Sequence, residues 1–394
     1  MQKINLKKSK DKSLIRKHPW VFSGAIRDID SGISEGSVVE IYDCNDNFIA
    51  TGHYQPGTIS VRVLSFDREE INEDFWKRKI FSAINKREQL GFFDNPDINV
   101  FRLINSEGDG LSGLIADYYN GNLVIQAHSA GMLLNMELFK KIFLHYLGNN
   151  IKSIINRSST TISFKSAIKT IDEVIYGNPG DGRIKVTENG IDFFVDILEG
   201  QKSGFFIDQR DNRKLLKKYS EGRKVLNTFC YSGGFSIYAL KGGADEVTSI
   251  DSSRKAIELL EKNILINRLE NKNHNMEVAD VFDFFKNNKS KYDLIVLDPP
   301  AFAKHINSLN RGLQGYFNLN RLALSCLAKN GILFTFSCSQ VVTKEDFKKI
   351  VFKAALNTER EVSIIHHLSQ SADHPINIYH PEGEYLKGLV LHSG

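Results

Sequence analysis

The chain of 394 residues is sparing with cysteine: Cys44, Cys230, Cys326 and Cys338 are scattered, with no C-x-x-C spacing. That pattern argues against disulfides and a cysteine-based zinc site, and it suits a reducing, cytoplasmic setting. No apolar run approaches the roughly 20 residues needed to cross a bilayer, so no membrane segment is expected. The opening MQKINLKKSKDK has no apolar stretch behind its charges, so no secretion signal is expected either. The chain also lacks the G-x-G-x-x-G spacing that holds a pyrophosphate and the Gly-Lys-Ser/Thr that holds a triphosphate. It has no internal repeat and no low-complexity tract.

What is present is the composition of a globular protein, 41% hydrophobic and 25% charged, long enough for two or three domains. The net charge of +4 is unevenly placed. Lys3, Lys7, Lys8, Lys10, Lys12, Arg16 and Lys17 face a single acid, Asp11, within the first 20 residues. Such an arm attracts phosphate backbones; the plain alternative is a solvated, frayed terminus.

Three segments follow from the patterning. Residues 1–69 carry short strands (37–42, 48–53 and 59–64) separated by Asp/Asn/Gly and Pro-Gly turns, a small β-rich module. Residues 70–195 mix helix and strand: Asn72 is set to cap an amphipathic helix to about Gly91, with Phe75, Ile80, Ala83, Ile84 and Leu90 on its apolar side. From 196 to 394 strands and helices alternate, the cadence of a doubly wound α/β sheet, whose ligands bind at the carboxyl ends of the strands.

The central stretch is RKVLNTFCYSGGFSIYALKGGADEVTSID. A buried strand, Val225 to Thr228, runs into a small-residue turn, then a helix, then a second strand ending in Asp251. Glycine at the turn admits backbone N–H groups close to a ligand. An acid at the tip of the second strand, about 20 residues on, suits ribose hydroxyls. With no phosphate-binding spacing, S-adenosylmethionine fits this turn and NAD and ATP do not.

Two further strand ends carry chemistry. Asp298 follows LIVL and is held by Pro299 and Pro300 in a stiff turn, fit to accept a proton or to bond a base edge. Cys338 lies just past the strand FTFS, positioned as a nucleophile, although most cysteines are small buried fillers. Cys230 reads as packing beside the cofactor, and Cys44 and Cys326 as structural. Asp208-Gln209-Arg210 reads either as a helix start, with Asp208 capping and Arg210 solvated, or as a cover over the cofactor. His366, His367, His374 and His380 lack metal-site spacing, so no metal is expected.

Taken in order, GFFIDQRDNR, VLNTFCYSGGFSIYAL, SIDSS, DLIVLDPPAFAK, LFTFSCSQ and SADHP…PEGEYLKG resemble the large-ribosomal-subunit RNA (cytosine-C5) methyltransferase I family, and RKHPWVFSGAI resembles its N-terminal PUA-type RNA-binding module. The resemblance implies a PUA-type domain over 1–69, a central α+β domain over 70–195 and a Rossmann-like methyltransferase domain over 196–394. It implies that S-adenosylmethionine contacts Gln209, Arg210, Tyr231, Ser232, Gly233, Asp251, Ser252, Asp280, Val281 and Asp298. Cys338 would be the nucleophile and large-subunit ribosomal RNA the substrate. The residues themselves independently favour Gly233, Asp251, Asp298 and Cys338. The family's chemistry adds a thiolate to cytosine C6 so that C5 becomes nucleophilic. No second cysteine follows Pro299, so the base that removes the C5 proton is unassigned.

Two rivals follow from the same residues. Asp-Pro-Pro followed by Phe302 also suits methylation of guanine or of an exocyclic amine, which needs no thiol. A non-catalytic RNA-binding assembly factor that keeps the fold is the other. A homodimer is compatible with either, and the sequence sets no oligomeric state.

Overall fold

The computed structural model describes residues 2–162, 166–200 and 203–394. They group into two compact units: Met1–Val186 with Asp196–Gly204 and Ala372–Gly383, and Thr187–Val195 with Phe205–Ser371 and Glu384–Gly394. The first two segments read from the sequence fall in the first unit as far as Val186, whereas Thr187–Val195 belongs to the second. Among the described residues no helix is long and apolar enough to cross a membrane.

The first unit opens with a six-stranded sheet in the order Trp20–Phe22, Ile59–Ser65, Phe48–Tyr54, Val38–Tyr42, Gln2–Leu6, Ile26–Ile29. The basic arm is therefore not a frayed terminus. Gln2–Leu6 pairs on both sides, and Ile4 and Leu6 are fully buried. The alternation of Lys3 and Asn5 with Ile4 and Leu6 is the period of a half-buried strand. Its cations face outward: Lys3, Lys7, Lys8, Lys10, Lys12, Arg16 and Lys17 are all exposed, with the Lys17 Nζ 4.6 Å above the Phe66 ring.

A helix, Glu73–Gln89, follows, and Asn72 caps it by accepting from the Phe75 N–H at 3.1 Å. Phe75, Trp76, Ile80, Ala83 and Ile84 are buried on its inner face, whereas Leu90 lies past the helix and is 45% exposed. The helix covers a five-stranded sheet ordered Glu173–Gly177, Ser153–Asn156, Asn122–Ala127, Leu114–Tyr119, Val100–Asn105. Arg87 is wholly buried and held by Asp109, by the Arg102 carbonyl and by the Asp373 carbonyl, each at 2.7–2.8 Å. A buried charge needs this degree of pairing.

The second unit is built on strands β1 (Lys224–Thr228), β2 (Glu246–Asp251), β3 (His274–Val278), β4 (Tyr292–Leu297), β5 (Leu327–Ser337), β6 (Val362–Leu368) and β7 (Lys387–Ser393). Its helices are α1 (Arg210–Lys218), α2 (Gly234–Lys241), α3 (Arg254–Ile266), α4 (Val281–Asn287), α5 (Leu309–Cys326) and α6 (Lys344–Asn357). The sheet order is β3-β2-β1-β4-β5-β7-β6. Strands β1 to β5 run parallel, and β7 lies antiparallel between β5 and β6. Order reverses at β1, between β2 and β4, so the carboxyl ends of these strands border one crevice.

Candidate active site

Parallel register brings the chemistry to one edge. Thr228 pairs with Ile250 on one side and Leu297 on the other, and Leu297 pairs with Thr335. The residues that follow, the glycine turn, Asp251, Asp298 and Cys338, therefore leave the sheet together.

The turn after β1 is tightly bent. Phe229 and Tyr231 adopt left-handed backbone with φ of 54° and 47°, and Gly233 follows at 81°. Such conformations cost of order 1 kcal/mol each in non-glycine residues and persist only where neighbours hold them. Here Asp251 does the holding: its carboxylate accepts from the Tyr231 N–H and from the Ser253 N–H, both at 2.9 Å. Each oxygen keeps acceptor capacity beyond that one bond, as a ribose diol requires. A Cβ on Gly233 would come within 2.1 Å of the Leu260 Cδ1 on α3, so packing demands glycine here as well as backbone conformation. Ser232 is buried, with its carbonyl taken by the Asn263 side chain at 2.9 Å, and Ser252 is exposed.

One strand further out, the Ala279 N–H donates to the Asp251 carbonyl at 3.0 Å, and Asp280 caps α4 by accepting from Phe282 and Asp283. The side chain of Val281 belongs to the core, so a ligand would meet its backbone instead.

The Asp208-Gln209-Arg210 segment is not a capped, solvated helix start. It is a buried turn, and neither Asp208 nor Gln209 caps α1. Asp208 accepts from the Tyr385 hydroxyl at 2.6 Å, and the Gln209 amide oxygen accepts from Asn212 at 2.6 Å. Arg210 is 2% exposed, its Nε 3.7 Å from the Glu188 carboxylate, which also receives Arg213 in a two-pronged pair at 2.8 and 2.6 Å. The Phe206 ring meets that of Tyr231 at 5.3 Å, so this segment lies against the glycine turn.

Asp298 is half-buried at the tip of β4, with Pro299 buried behind it and Pro300 exposed. Cys338 is half-buried, and its thiol points to the Pro299 carbonyl at 3.8 Å. The sulfur thus lies against the Asp-Pro-Pro turn. Ser339 anchors the loop behind it: its hydroxyl accepts from the Ala303 N–H at 3.1 Å and shares a 2.8 Å hydrogen bond with Tyr316, and its carbonyl accepts from the Lys387 Nζ–H at 2.6 Å. Burial raises the Tyr316 hydroxyl above its ordinary value and lowers Lys387 to about 8.

The other thiols differ in setting. Cys230 is buried beside the turn, and burial, then the charge of Asp251, push its pKa well above the ordinary range. Cys326 is buried within α5, and Cys44 is partly exposed. Of the histidines, His366 bonds Tyr219 at 2.7 Å, and His374 pairs with Asp373 at 3.0 Å. His380 packs on the Trp20 ring at 4.3 Å, beside His18 and Glu382. Sequence reasoning passed over Glu188, Arg213, Tyr316, Ser339 and Lys387. Their partners are distant in sequence, so local pattern assigns them no role, although Arg213, Ser339 and Lys387 lie within GFFIDQRDNR, LFTFSCSQ and PEGEYLKG.

The strand order, the bent turn after β1 and the acid at the tip of β2 define a methyltransferase of the S-adenosylmethionine-dependent class, and residues 111–372 match the family described as S-adenosylmethionine-dependent methyltransferase. Residues 4–66 match the PUA-like domain. A relative from Aeromonas hydrophila, named Ribosomal RNA large subunit methyltransferase I, is 40% identical over 396 residues, covering 99% of each chain. The chain belongs to that family. Among solved structures, an S-adenosylmethionine-dependent methyltransferase from Streptococcus mutans matches with a TM-score of 0.86 at 24% identity over the whole of both chains. A methyltransferase complexed with SAH matches with a TM-score of 0.87, also at 24% identity over both whole chains. At that identity the likeness speaks for the fold alone. The cofactor of this enzyme is S-adenosylmethionine, which the acceptor capacity of Asp251 suits.

Proposed function

We propose that this enzyme methylates C5 of a cytosine in large-subunit ribosomal RNA, with Cys338 as covalent nucleophile and Asp298 as the group that grips the base. The observation that carries the reading is the 3.8 Å approach of the Cys338 sulfur to the Pro299 carbonyl, at the same sheet edge as Asp298. The RNA substrate rests on the name of the relatives and on seven exposed cations within the first 17 residues, on the first strand of the PUA-like region and the segment that follows it.

When bound, S-adenosylmethionine supplies an electrophilic methyl carbon. Cytosine C5 is a poor nucleophile until the Cys338 thiolate bonds to C6, which turns C5 into an enamine-like carbon. Asp298, entering as the protonated acid, donates its O–H to N3 as negative charge develops there, while its other oxygen accepts from the exocyclic amine. After transfer the C5 proton departs, the C6–S bond breaks, and the electron pair returns to sulfur. The target base must leave its stack to be reached.

Nucleoside mass spectrometry of ribosomal RNA, with and without this gene and with Cys338→Ala restored, tests the reading. Loss of one 5-methylcytidine that the variant fails to restore is the expected result. Turnover retained by Cys338→Ala, with a methylated guanine or exocyclic amine as product, would replace it with nitrogen methylation at the Asp-Pro-Pro motif. Absence of any methylated product alongside RNA binding would point to an assembly factor.

A further inference from the structure

Lys387 opens β7 and faces Ser337 directly across the antiparallel pair with β5. Its side chain does not stop there. At 4% exposure it runs inward until Nζ reaches the Ser339 carbonyl at 2.6 Å. Lys387 is thus opposite the residue before Cys338 and bonded to the residue after it. A lysine is rarely placed so deep without a charged partner.

The surrounding charges do not supply a dedicated partner. Lys344, Glu345 and Lys348 on α6, His367 on β6 and Glu384 ahead of β7 line the cavity that Lys387 borders, while Tyr316 approaches from α5 through Ser339. Glu384 forms its own ion pair with Lys344. Burial lowers the pKa of Lys387 to about 8, and the largest opposing influence is the charge that Cys338 can carry. The Lys387 amine and a charge on Cys338 therefore influence each other, the thiolate favouring the ammonium.

We propose that Lys387 is the proton partner of Cys338, an inference that rests on Cys338 being the attacking group. The Sγ–H bond breaks as an N–H bond forms on Nζ, leaving a thiolate beside an ammonium tethered to the Ser339 carbonyl. The thiolate adds to C6. When the C6–S bond later breaks, sulfur recovers the proton from Nζ, while the C5 proton leaves separately, so lysine and thiol finish as they began.

The test is the pH profile of Cys338 alkylation by iodoacetamide in the full-length protein, followed on its own peptide by mass spectrometry, with Cys44 and Cys230 as internal references. In the parent protein the half-maximal rate should fall at least one pH unit below the value near 8.5 of an ordinary thiol. Lys387→Met should raise it by a unit or more, cutting the rate at pH 7 roughly tenfold. Lys387→Arg keeps a fixed cation and should retain the low midpoint, while methyl transfer falls because a guanidinium accepts no proton. S-adenosylmethionine titration of each variant verifies an intact site. Superimposable profiles for the parent and Lys387→Met, or an Arg variant that behaves as Met, overturn the proposal. Alkylation needs no RNA, so the proton link is read independently: 5-methylcytidine formed by Cys338→Ala would remove Cys338 as the nucleophile and leave these profiles as measured.

Discussion

Gly233→Ala offers a quantitative probe of why the cofactor turn contains glycine. The backbone there lies at φ 81°, a region that costs an L-residue about 1–2 kcal/mol. The new methyl would sit 2.1 Å from the Leu260 Cδ1 and 3.1 Å from its Cγ, against a comfortable separation of about 3.5–4.0 Å. Leu260 is fully buried on α3, so α3 or the turn must shift, an overpacking cost of about 1–3 kcal/mol. The sum is a loss of about 2–5 kcal/mol. Leu260→Ala alone costs about 2–5 kcal/mol through its cavity. The double variant loses the clash, because the added methyl enters space that Leu260 has vacated. It should be more stable than the two singles predict by about 1–3 kcal/mol. Urea unfolding reads this directly, taking the transition that S-adenosylmethionine shifts as that of the methyltransferase unit. Additivity within about 0.5 kcal/mol would refute the packing argument. Cofactor affinity separates the two reasons for glycine: if packing is the main one, the double variant binds S-adenosylmethionine as Leu260→Ala does.

Arg213→Met leaves the Glu188 carboxylate buried without its two-pronged partner, and should cost about 3–5 kcal/mol in urea unfolding. Arg210 remains 3.7 Å away, so the loss should fall toward the low end, and a loss under about 1 kcal/mol would sink the argument. His53 is buried with neither ring nitrogen hydrogen-bonded, and burial lowers its pKa from 6.5 to about 4. The unfolded chain therefore binds the extra proton between those values, and stability falls as pH drops through that window. The loss is about 1.4 kcal/mol per unit, roughly 3 kcal/mol in all. His53→Leu should flatten the pH dependence of unfolding by that amount; an unchanged slope between pH 6.5 and 4 counts against it.

The parallel half of the methyltransferase sheet was legible because its elements announce themselves locally. VLNT, EVTSI and LIVL are buried runs bounded by turns, and Asp280, Ser253 and Asn72 cap helices as their types suggest. The antiparallel strands β6 and β7 were not, since VSIIHHL and KGLVLHS acquire meaning only from pairing with β5 and with each other. The N-terminal strand was obscured by its charges: counting lysines hid the alternation that buries Ile4 and Leu6. Arg87 defeats sequence reading for another reason. A cation on an amphipathic helix ordinarily faces water, and nothing nearby in the chain reveals that Asp109 and a carbonyl from residue 373 await it.

The placement of β7 has a bearing on synthesis. The ribosome delivers β5 and β6 first, yet in the folded sheet the later-made β7 lies between them. Until residues as far as Ser393 have cleared the exit tunnel, β5 lacks its outer neighbour and β6 has no strand to pair with. A chain truncated between 368 and 386 would lack β7, and with it the ladder that joins β6 to β5 and the Lys387 bond to Ser339.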